Sequence, residues 1–237
     1  MFDRSKAKAR RLARELKARN ARSASEAVKK SKVVVIAVKP EAVEGLLREV
    51  KDELKGKLVI SIAATVPLAY IEKRIPKRAR AVVMMPSMAV QAGKGLCVFC
   101  LGKRKRGRDA NMVKRLFEGA GRVKQVKDER ALDAALVSAS GIAFIYSFID
   151  ALARAGQRAG LSRKDALEFA AATAEGAGEM VLESEKNPAE LIEQVATKGG
   201  LTERGLQRLG KKGVRKEIEG AMEGILREAR RARQKWK

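Results

Sequence analysis

Residues 197–202 read TKGGLT and lie between two segments with a helical pattern. Gly199 and Gly200 let the backbone curl so that successive N–H groups converge, and Thr202 begins the next predicted helix. A backbone nest beside a helix N-terminus attracts an anion such as a carboxylate. An ordinary glycine-containing loop, followed by a helix that Thr202 caps, accounts for the same residues. The segment alone leaves both interpretations open.

A second set of candidate residues lies where predicted strands end. The run KVVVIAV is continuously apolar, which is typical of a strand buried on both faces. It leads into Ala37, Val38, Lys39 and Pro40, and the next strand, LVISIAA, ends in Ala63 and Ala64. Ligands of parallel sheets bind at the carboxyl ends of the strands, where small residues allow close approach. A solvated lysine and plain close packing are the alternatives for Lys39 and the two alanines.

The elements that must position the strand-end residues alternate between strand and helix. A helix that Ser5 caps comes first, and five predicted strands follow, most of them separated by helices. This alternation favours a parallel, doubly wound sheet. The α/β pattern stops near residue 127, so we predict a first domain of residues 1–127.

The pattern of residues 128–237 is helical only. It predicts a long helix bent near Gly141, a second helix capped by Ser162, and three more that begin near residues 188, 202 and 214. This part would form a second, all-α domain, and it would also hold the TKGGLT segment.

Composition limits the possible classes of protein. The chain has 237 residues, of which 46% are hydrophobic, enough for a real core. No uncharged apolar run reaches about twenty residues, so we expect no membrane span. The basic first twenty residues lack the apolar centre of a signal peptide, so we expect a cytoplasmic protein.

The two cysteines, in GLCVFCLG, are not predicted to bind a metal. The chain has no histidine and no second CxxC, which excludes a four-ligand zinc site, and we expect no bound metal. Strand alternation would point Cys97 and Cys100 to opposite faces of a sheet. We therefore interpret them as buried structural thiols.

Positive charge is the most unusual property of the composition. The formal net charge is +24, and it is densest at residues 4–22, at 103–108 and at the end of the chain. The first cluster lies on an amphipathic helix, which leaves its lysines and arginines on the solvated face. Aromatic residues make up only 4% of the chain. A nucleic acid is therefore not expected as the main partner, although a basic nucleic-acid-binding protein stays an alternative.

Five segments, in order, resemble the pyrroline-5-carboxylate reductase family over nearly the whole chain. They are VVVIAVKPEAV, LVISIAATVPLAYIEKRIP, VMMPSMAVQAGKGLCVF, the stretch from LVSASGIAF to EMVLES, and NPAELIEQVATKGGLTERGLQRL. The resemblance implies an α/β Rossmann-type domain that binds NADPH or NADH, followed by an all-α dimerisation domain. It implies hydride transfer to the C=N carbon of a cyclic imino acid, giving L-proline, at the interface of a homodimer or higher oligomer.

The resemblance also assigns roles to residues of the helical part. Thr202 matches a threonine near the substrate's carboxylate and ring nitrogen and is the candidate catalytic residue. Thr197, Gly199, Gly200 and Glu185 match substrate-binding positions. Because the chain has no histidine, the proton for the ring nitrogen would come from solvent, from Glu185 or through the Thr202 hydroxyl. A solvated glutamate at a helix end is the alternative for Glu185.

The cofactor would contact the α/β part. Arg4 and Ser5 stand where the family grips the adenosine ribose, and they suit a 2′-phosphate, whereas Asp3 would suit a free 2′-hydroxyl. The balance favours NADPH over NADH. The other implied cofactor-binding residues are Ala37, Val38, Lys39, Pro40, Ala63 and Ala64.

Departures from the family pattern leave a second hypothesis. The chain reads MPSMAV, SASGIAF and TKGGLT where the family has Met-Pro-Asn-Thr-Pro, Ser-Gly-Ser-Gly-Pro-Ala-Tyr and Ser-Pro-Gly-Gly-Thr-Thr. No glycine precedes Gly45, so the expected domain lacks its first β-α unit and phosphate-binding glycine loop. A start assigned too late or a truncated gene is our expectation. A non-catalytic dimeric remnant of the family is the alternative function.

Overall fold

The computed structural model describes residues 1–236, in which a five-stranded sheet is combined with twelve α-helices. The strands are β1 (Val33–Ile36), β2 (Leu58–Ser61), β3 (Arg80–Pro86), β4 (Gly95–Leu101) and β5 (Gly121–Gln125). The helices of the α/β part are α1 (Lys6–Glu15), α2 (Ala24–Lys29), α3 (Pro40–Glu49), α4 (Leu68–Arg74) and α5 (Asp109–Phe117). The later helices are α6 (Glu129–Asp133), α7 (Leu136–Ala139), α8 (Gly141–Arg158), α9 (Arg163–Glu183), α10 (Pro188–Val195), α11 (Leu201–Lys211) and α12 (Val214–Gln234).

The strands lie in the order β1-β2-β3-β4-β5. The pairs β1–β2, β2–β3 and β4–β5 are parallel, but β3 and β4 are antiparallel. The expectation of an all-parallel sheet was therefore wrong at this pair. Residues 87–94 join the two strands with one short 3₁₀ helix, Met88–Ala92. A parallel crossover needs about a dozen residues or more, so this short connection reverses the chain.

The sheet is packed on both faces. One face meets α2, α3, α4 and α6 through residues such as Val28, Leu47, Ile71 and Leu132, and the other meets α5 through Val113. The two thiols confirm the predicted alternation of β4, because Cys97 packs in one cluster and Cys100 in the other. Burial raises the pKa of both thiols, that of Cys100 to about 12, which keeps them protonated and unreactive.

Strand β1 lies at the edge of the sheet, and this corrects a second expectation. The KVVVIAV run was predicted to be buried on both faces, yet Val35 is 47% exposed. Val34 and Ile36 pack on the covered face, whereas Val35 points to the side that no helix covers at this position. Strand β1 is therefore more apolar than its partial burial in this structure requires.

The described residues form two compact units. The first unit consists of residues 1–139 together with residues 226–236, and the second consists of Ser140–Ile225. This division differs from the boundary predicted at residue 127, because Leu132 and Ala135 are buried in the core of the first unit. The chain end also returns to that core, since the Trp236 ring packs edge-on at 4.7 Å against Tyr70.

The second unit is a set of helices with little core of its own. Its buried hydrophobic residues are Ala153, Ala166 and Ala170, where α8 packs against α9. Ser162 caps α9 as predicted and accepts a hydrogen bond from the Asp165 N–H. The single long helix predicted before it is instead divided into α6, α7 and α8, with α8 beginning at Gly141.

Apolar side chains are widely exposed on this unit. They include Ile145, Tyr146, Phe148, Phe169, Leu182, Val195 and Leu201. The stretch Glu129–Arg158 is long and apolar enough to cross a membrane by length and composition alone, and 17% of its most apolar part is buried. This stretch contains Asp150 and Arg154, so it is not the uncharged run that a membrane span was expected to need, and the absence of a membrane span stays a prediction. So many exposed apolar side chains on one unit indicate a surface that binds a protein or a membrane.

Candidate active site

The ends of β1 and β2 bring the predicted strand-end residues together. The Ile62 N–H donates to the carbonyl oxygen of Ile36 at 3.0 Å, so the segments that follow the two strands begin side by side. Ala37 and Ala64 are exposed there, and Ala63 is buried. Residues 37–40 and 63–64 therefore share the carboxyl edge of the parallel strands, where ligands bind in such sheets.

Helix α3 begins at this same edge. Lys39 is the residue before the helix and makes no side-chain cap, and Pro40 occupies the first helical position, as its fixed φ favours. Lys39 is exposed and Val38 is half-buried against the core. The edge thus presents a helix N-terminus, two small side chains and one exposed ammonium group.

A basic cavity of about 530 Å³ lies at the start of the chain. It is lined by Phe2, Asp3, Arg4, Lys6, Ala9, Arg10, Asn20, Ala21 and Arg22. Four of these side chains are cations, and Asp3 is held by an ion pair with Lys8 at 3.3 Å. An anion with several charges, such as a phosphate monoester, fits this lining. Of the lining cations only Arg4 was predicted, although the i, i+4 spacing of Lys6 and Arg10 on α1 was available as a signal.

Ser5 has a different role from its neighbour. Its hydroxyl accepts a hydrogen bond of 3.4 Å from the Lys8 N–H and caps α1, and Ser5 is not part of the cavity lining. The Ser5 N–H donates to Asp3 at 2.9 Å. This bond, with help from Lys8, lowers the pKa of the Asp3 carboxyl, so Asp3 stays ionised beside the cations.

The glycine pair of the second unit forms a tight turn. Gly199 has φ of +77°, a conformation that favours glycine, and the Gly200 N–H donates to the Thr197 carbonyl oxygen at 2.9 Å. A Cβ on Gly200 would lie 2.7 Å from the Thr197 hydroxyl oxygen. Both glycines are therefore required by the turn itself.

Helix α11 begins one residue earlier than expected. Gly200 is the N-cap and has no side chain to cap with, Leu201 is the first helical residue, and Thr202 is the second. The interpretation of Thr202 as the cap was therefore wrong, because the turn at Gly199 already sets the helix start. The N–H groups of the first turn lack intrahelical acceptors, and the exposed Thr202 hydroxyl stands among them.

Glu203 was not predicted as a site residue from the sequence. Its carboxylate accepts a hydrogen bond of 2.7 Å from the Gly199 N–H. One N–H of the predicted anion nest is thus already bound by a carboxylate of the chain itself. The spacing of Gly199 and Glu203 was a usable signal, because a glutamate in the first turn of a helix often reaches back to the preceding backbone.

Glu185 lies in the turn between α9 and α10 and is exposed. The N-terminus of the following helix, α10, has a capping box. The Asn187 side chain accepts a hydrogen bond from the Glu190 N–H at 3.1 Å, and the Glu190 carboxylate accepts one from the Asn187 N–H at 2.6 Å. Among residues 1–236, no hydrogen bond joins Glu185 to Thr197 or Thr202. The structure thus brings together the residues of the glycine turn, but it does not join Glu185 to them.

Comparisons with known proteins place these features in a family. Residues 129–232 match the family model for pyrroline-5-carboxylate reductase dimerisation, and residues 1–65 match the model for coenzyme F420-dependent NADP oxidoreductase. The pyrroline-5-carboxylate reductase of Methanosarcina acetivorans is 34% identical over 209 residues, which cover 87% of this chain and 76% of that protein. The enzyme of Pisum sativum is 35% identical over 90% of this chain and 77% of its own length.

Solved structures agree with the sequence comparisons. The Plasmodium falciparum pyrroline carboxylate reductase with NADP bound has a TM-score of 0.88 and 26% identity, covering 98% of this chain and 86% of that one. The pyrroline-5-carboxylate reductase of Coxiella burnetii has a TM-score of 0.88 and 27% identity, covering 98% and 87%. The chain therefore belongs to the pyrroline-5-carboxylate reductase family.

Proposed function

We propose that this protein reduces L-1-pyrroline-5-carboxylate to L-proline with NADPH, or less effectively with NADH. The observation that carries the proposal is the start of α11, where the glycine turn leaves first-turn N–H groups without intrahelical acceptors, in a chain whose relatives are named for this reaction. When bound, the cofactor supplies a hydride to the imine carbon, and the ring nitrogen holds the proton that completes the amine.

The cofactor site is proposed to lie in the first unit. The cavity cations Arg4, Lys6, Arg10 and Arg22 suit the 2′-phosphate that distinguishes NADPH from NADH. The carboxyl edge, with Ala37, Val38, Lys39, Pro40, Ala63 and Ala64, suits the nicotinamide end. Residues 1–44 contain no glycine, so these residues provide no glycine-rich pyrophosphate loop before β1.

The substrate site is proposed to lie at the start of α11. The first-turn N–H groups and the Thr202 hydroxyl can donate hydrogen bonds to the carboxylate, and the positive end of the helix favours its charge. Gly199 and Gly200 allow the tight turn, and the hydrogen bond from the Gly200 N–H to the Thr197 carbonyl oxygen stabilises it. These contacts would restrict the position of the imine carbon, since rotation about the bond to the carboxylate is the main freedom left to a cyclic imino acid whose carboxylate is fixed.

Protonation of the ring nitrogen needs no strong acid in the site. The iminium ion forms in solution before binding, and the Thr202 hydroxyl or the Glu185 carboxylate would then stabilise it. Glu185 would act through its negative charge, which favours the iminium over the neutral imine. The absence of histidine from the chain is compatible with this chemistry.

We also propose that the protein is a homodimer joined through its second unit. One copy buries three alanines there and leaves large apolar side chains of α8 and α9 exposed. The dimerisation model covers the same residues, 129–232. A second copy, rather than a membrane, is thus the proposed cover of the apolar stretch Glu129–Arg158. A cytoplasmic location stays a prediction.

An activity assay with an N-terminal extension tests the proposed reaction. We expect the 237-residue chain to bind NADPH only at millimolar concentration, because two or three charge-assisted hydrogen bonds of about 1.5–3 kcal/mol each are missing. Adding a strand, glycine loop and helix before Met1 should restore NADPH oxidation in the presence of pyrroline-5-carboxylate. Thr202→Ala should then lower kcat/KM by about 10–100-fold, as expected for a hydrogen bond to a charged group.

The matched control is Ser31→Ala, which removes a hydroxyl that donates to the Ala27 carbonyl oxygen at 2.7 Å in the first unit and should leave kcat/KM nearly unchanged. An extended chain that binds NADPH and L-proline but oxidises no NADPH would favour the non-catalytic remnant. Micromolar binding of NADPH by the 237-residue chain would show that another segment has replaced the glycine loop.

Glu203 provides a further prediction about the substrate site. Glu203→Gln keeps an acceptor for the Gly199 N–H but removes a negative charge beside the proposed carboxylate site. We expect the affinity for L-proline, measured by calorimetry, to rise about two- to fivefold, because one like charge near the site is lost. Glu190→Gln is the control, since Glu190 makes the same kind of bond at the start of α10. Equal effects of the two substitutions would contradict the prediction.

A further inference from the structure

The positive charge of the chain belongs almost entirely to the first unit. Residues 1–139 and 226–237 hold 40 lysines and arginines but 15 aspartates and glutamates, a net charge of +25. Residues 140–225 hold 12 basic and 13 acidic residues, a net charge of −1, and the two values give the total of +24. A dinucleotide carries only a few negative charges, so the cofactor alone does not account for this excess.

Part of the charge converges at the end of the sheet where β1, β2 and β3 begin. This end is opposite the carboxyl ends of β1 and β2, where the proposed cofactor site lies. The Leu58 N–H donates to the Lys32 carbonyl oxygen at 3.3 Å, the Arg80 N–H to the Lys57 carbonyl oxygen at 3.0 Å, and the Gly102 N–H to the Ala81 carbonyl oxygen at 2.9 Å. These backbone bonds place the segments before β1, β2 and β3 beside the segment after β4. Four neighbouring strands make this edge about 15 Å wide.

We define the basic edge as the exposed cations of these four segments. They are Lys32, Lys55, Lys77, Arg78, Lys103, Lys105, Arg106 and Arg108. Within residues 1–236, none of their side chains forms an ion pair. Asp52 is an exposed carboxylate nearby, whereas Glu72 and Asp109 are engaged by the chain itself. The basic edge therefore has a large excess of unpaired positive charge.

The most basic segment is held in place by the fold. The Arg104 guanidinium donates to the carbonyl oxygens of Glu72 and Pro76, each at 2.8 Å, and the Lys103 N–H donates to the Glu72 carboxylate at 2.8 Å. The Arg106 N–H donates to Asp109 at 2.7 Å. Because the backbone is fixed, the outward cations lose less entropy when they bind a ligand.

We propose that the basic edge binds the phosphate backbone of duplex nucleic acid without sequence specificity. A row of cations on a fixed surface complements the regular negative charge of a duplex. The segments at residues 30–32, 55–57, 76–78 and 102–108 contain no aromatic residue, so stacking on single-stranded bases is not available there. No large exposed hydrophobic residue lies in them either, and this disfavours insertion into a membrane. The role is additional to the reductase activity and uses a different edge of the sheet.

Fluorescence anisotropy with a labelled 30-base-pair DNA duplex tests the proposal. Four to six neutralised phosphates predict that log K falls with log salt with a slope of about −4 to −5, so affinity drops roughly 10²–10³-fold between 50 and 200 mM NaCl. K103Q/K105Q/R106Q/R108Q keeps Arg104 and should weaken binding more than tenfold, with a slope shallower by about three to four. K164Q/K186Q/R215Q/K216Q removes equal charge from the second unit and should change binding by less than twofold.

Each other outcome overturns the proposal. Equal losses in the two variants would mean that net charge alone attracts the duplex. Tighter binding to a 30-base single strand would mean a different surface, and binding to phosphatidylserine vesicles but not to DNA would mean a membrane ligand. Thermal unfolding of both variants, followed by circular dichroism, should give the melting temperature of the unchanged protein, which shows that a loss of binding does not come from unfolding.

Discussion

Phe148→Glu is expected to convert the protein into a monomer and, in the chain extended before Met1, to abolish the reduction of pyrroline-5-carboxylate. Phe148 is 53% exposed on α8 and forms an apolar stripe with Ile145 and Leu152, at the spacing of one helix face. In a two-fold symmetric dimer each copy would bury the new carboxylate. Burying a charge costs several kcal/mol per ion, so the dissociation constant should rise at least about a thousandfold.

Light scattering after size exclusion measures the effect directly. The unchanged protein should have twice the 25.9 kDa of one chain at micromolar concentration, and the variant should have the mass of one chain. Leu116→Glu is the matched control, because Leu116 is also 53% exposed but lies on α5 of the first unit. The control should remain dimeric and, in the extended chain, active.

Three results would contradict the proposed assembly or the place of Phe148 in it. A monomeric unchanged protein would mean that the apolar face of the second unit has another cover. A dimeric Phe148→Glu variant beside a monomeric Leu116→Glu variant would move the interface to the first unit. A Phe148→Glu dimer that loses activity without dissociating would mean that Phe148 acts on the substrate site rather than on assembly.

Local sequence predicts the elements of this fold better than their pairing. The β-branched run before Ala37 and the caps Ser5 and Ser162 each act over a few residues, and the structure confirms them. The reversal between β3 and β4 depends on the length of their connection, and the exposure of Val35 depends on which helices cover the sheet. Neither property is encoded in the residues of the strand itself.

The same distinction applies to the candidate sites. The glycine turn at residues 197–200 was predictable because its requirement for glycine is local. The Glu203 carboxylate and a bound anion would compete for the Gly199 N–H. Residue types alone do not show which of the two acceptors binds it. Only the 103–108 part of the basic edge was visible in the sequence, because the other three segments are far apart in the chain and meet it only through strand register.

Asp109→Ala is expected to destabilise the protein by about 3–5 kcal/mol, a large fraction of the stability of a typical domain. Asp109 is fully buried and accepts hydrogen bonds from the Arg80 side chain at 2.9 and 3.1 Å and from the Arg106 N–H at 2.7 Å. The Arg80 guanidinium also donates to the Gly56 carbonyl oxygen at 3.0 Å. Removing the carboxylate leaves a buried cation without its counterion, and it frees the segment that carries half of the basic edge.

Replacement of both partners shows whether the cost comes from the unpaired charge. Replacing both partners, Arg80→Met with Asp109→Leu, should restore most of the lost stability, because burying an ion pair costs desolvation that an apolar pair avoids. Glu228→Gln, which breaks an exposed ion pair to Arg231 of 2.8 Å, should cost less than about 1 kcal/mol. Chemical unfolding at one fixed protein concentration supplies all four free energies, since the proposed dimer would make stability depend on concentration. The double replacement could instead be no more stable than Asp109→Ala alone. Side-chain packing and the hydrogen bonds from Arg80 to Gly56 and from Arg106 to Asp109, rather than charge pairing, would then stabilise this part of the sheet.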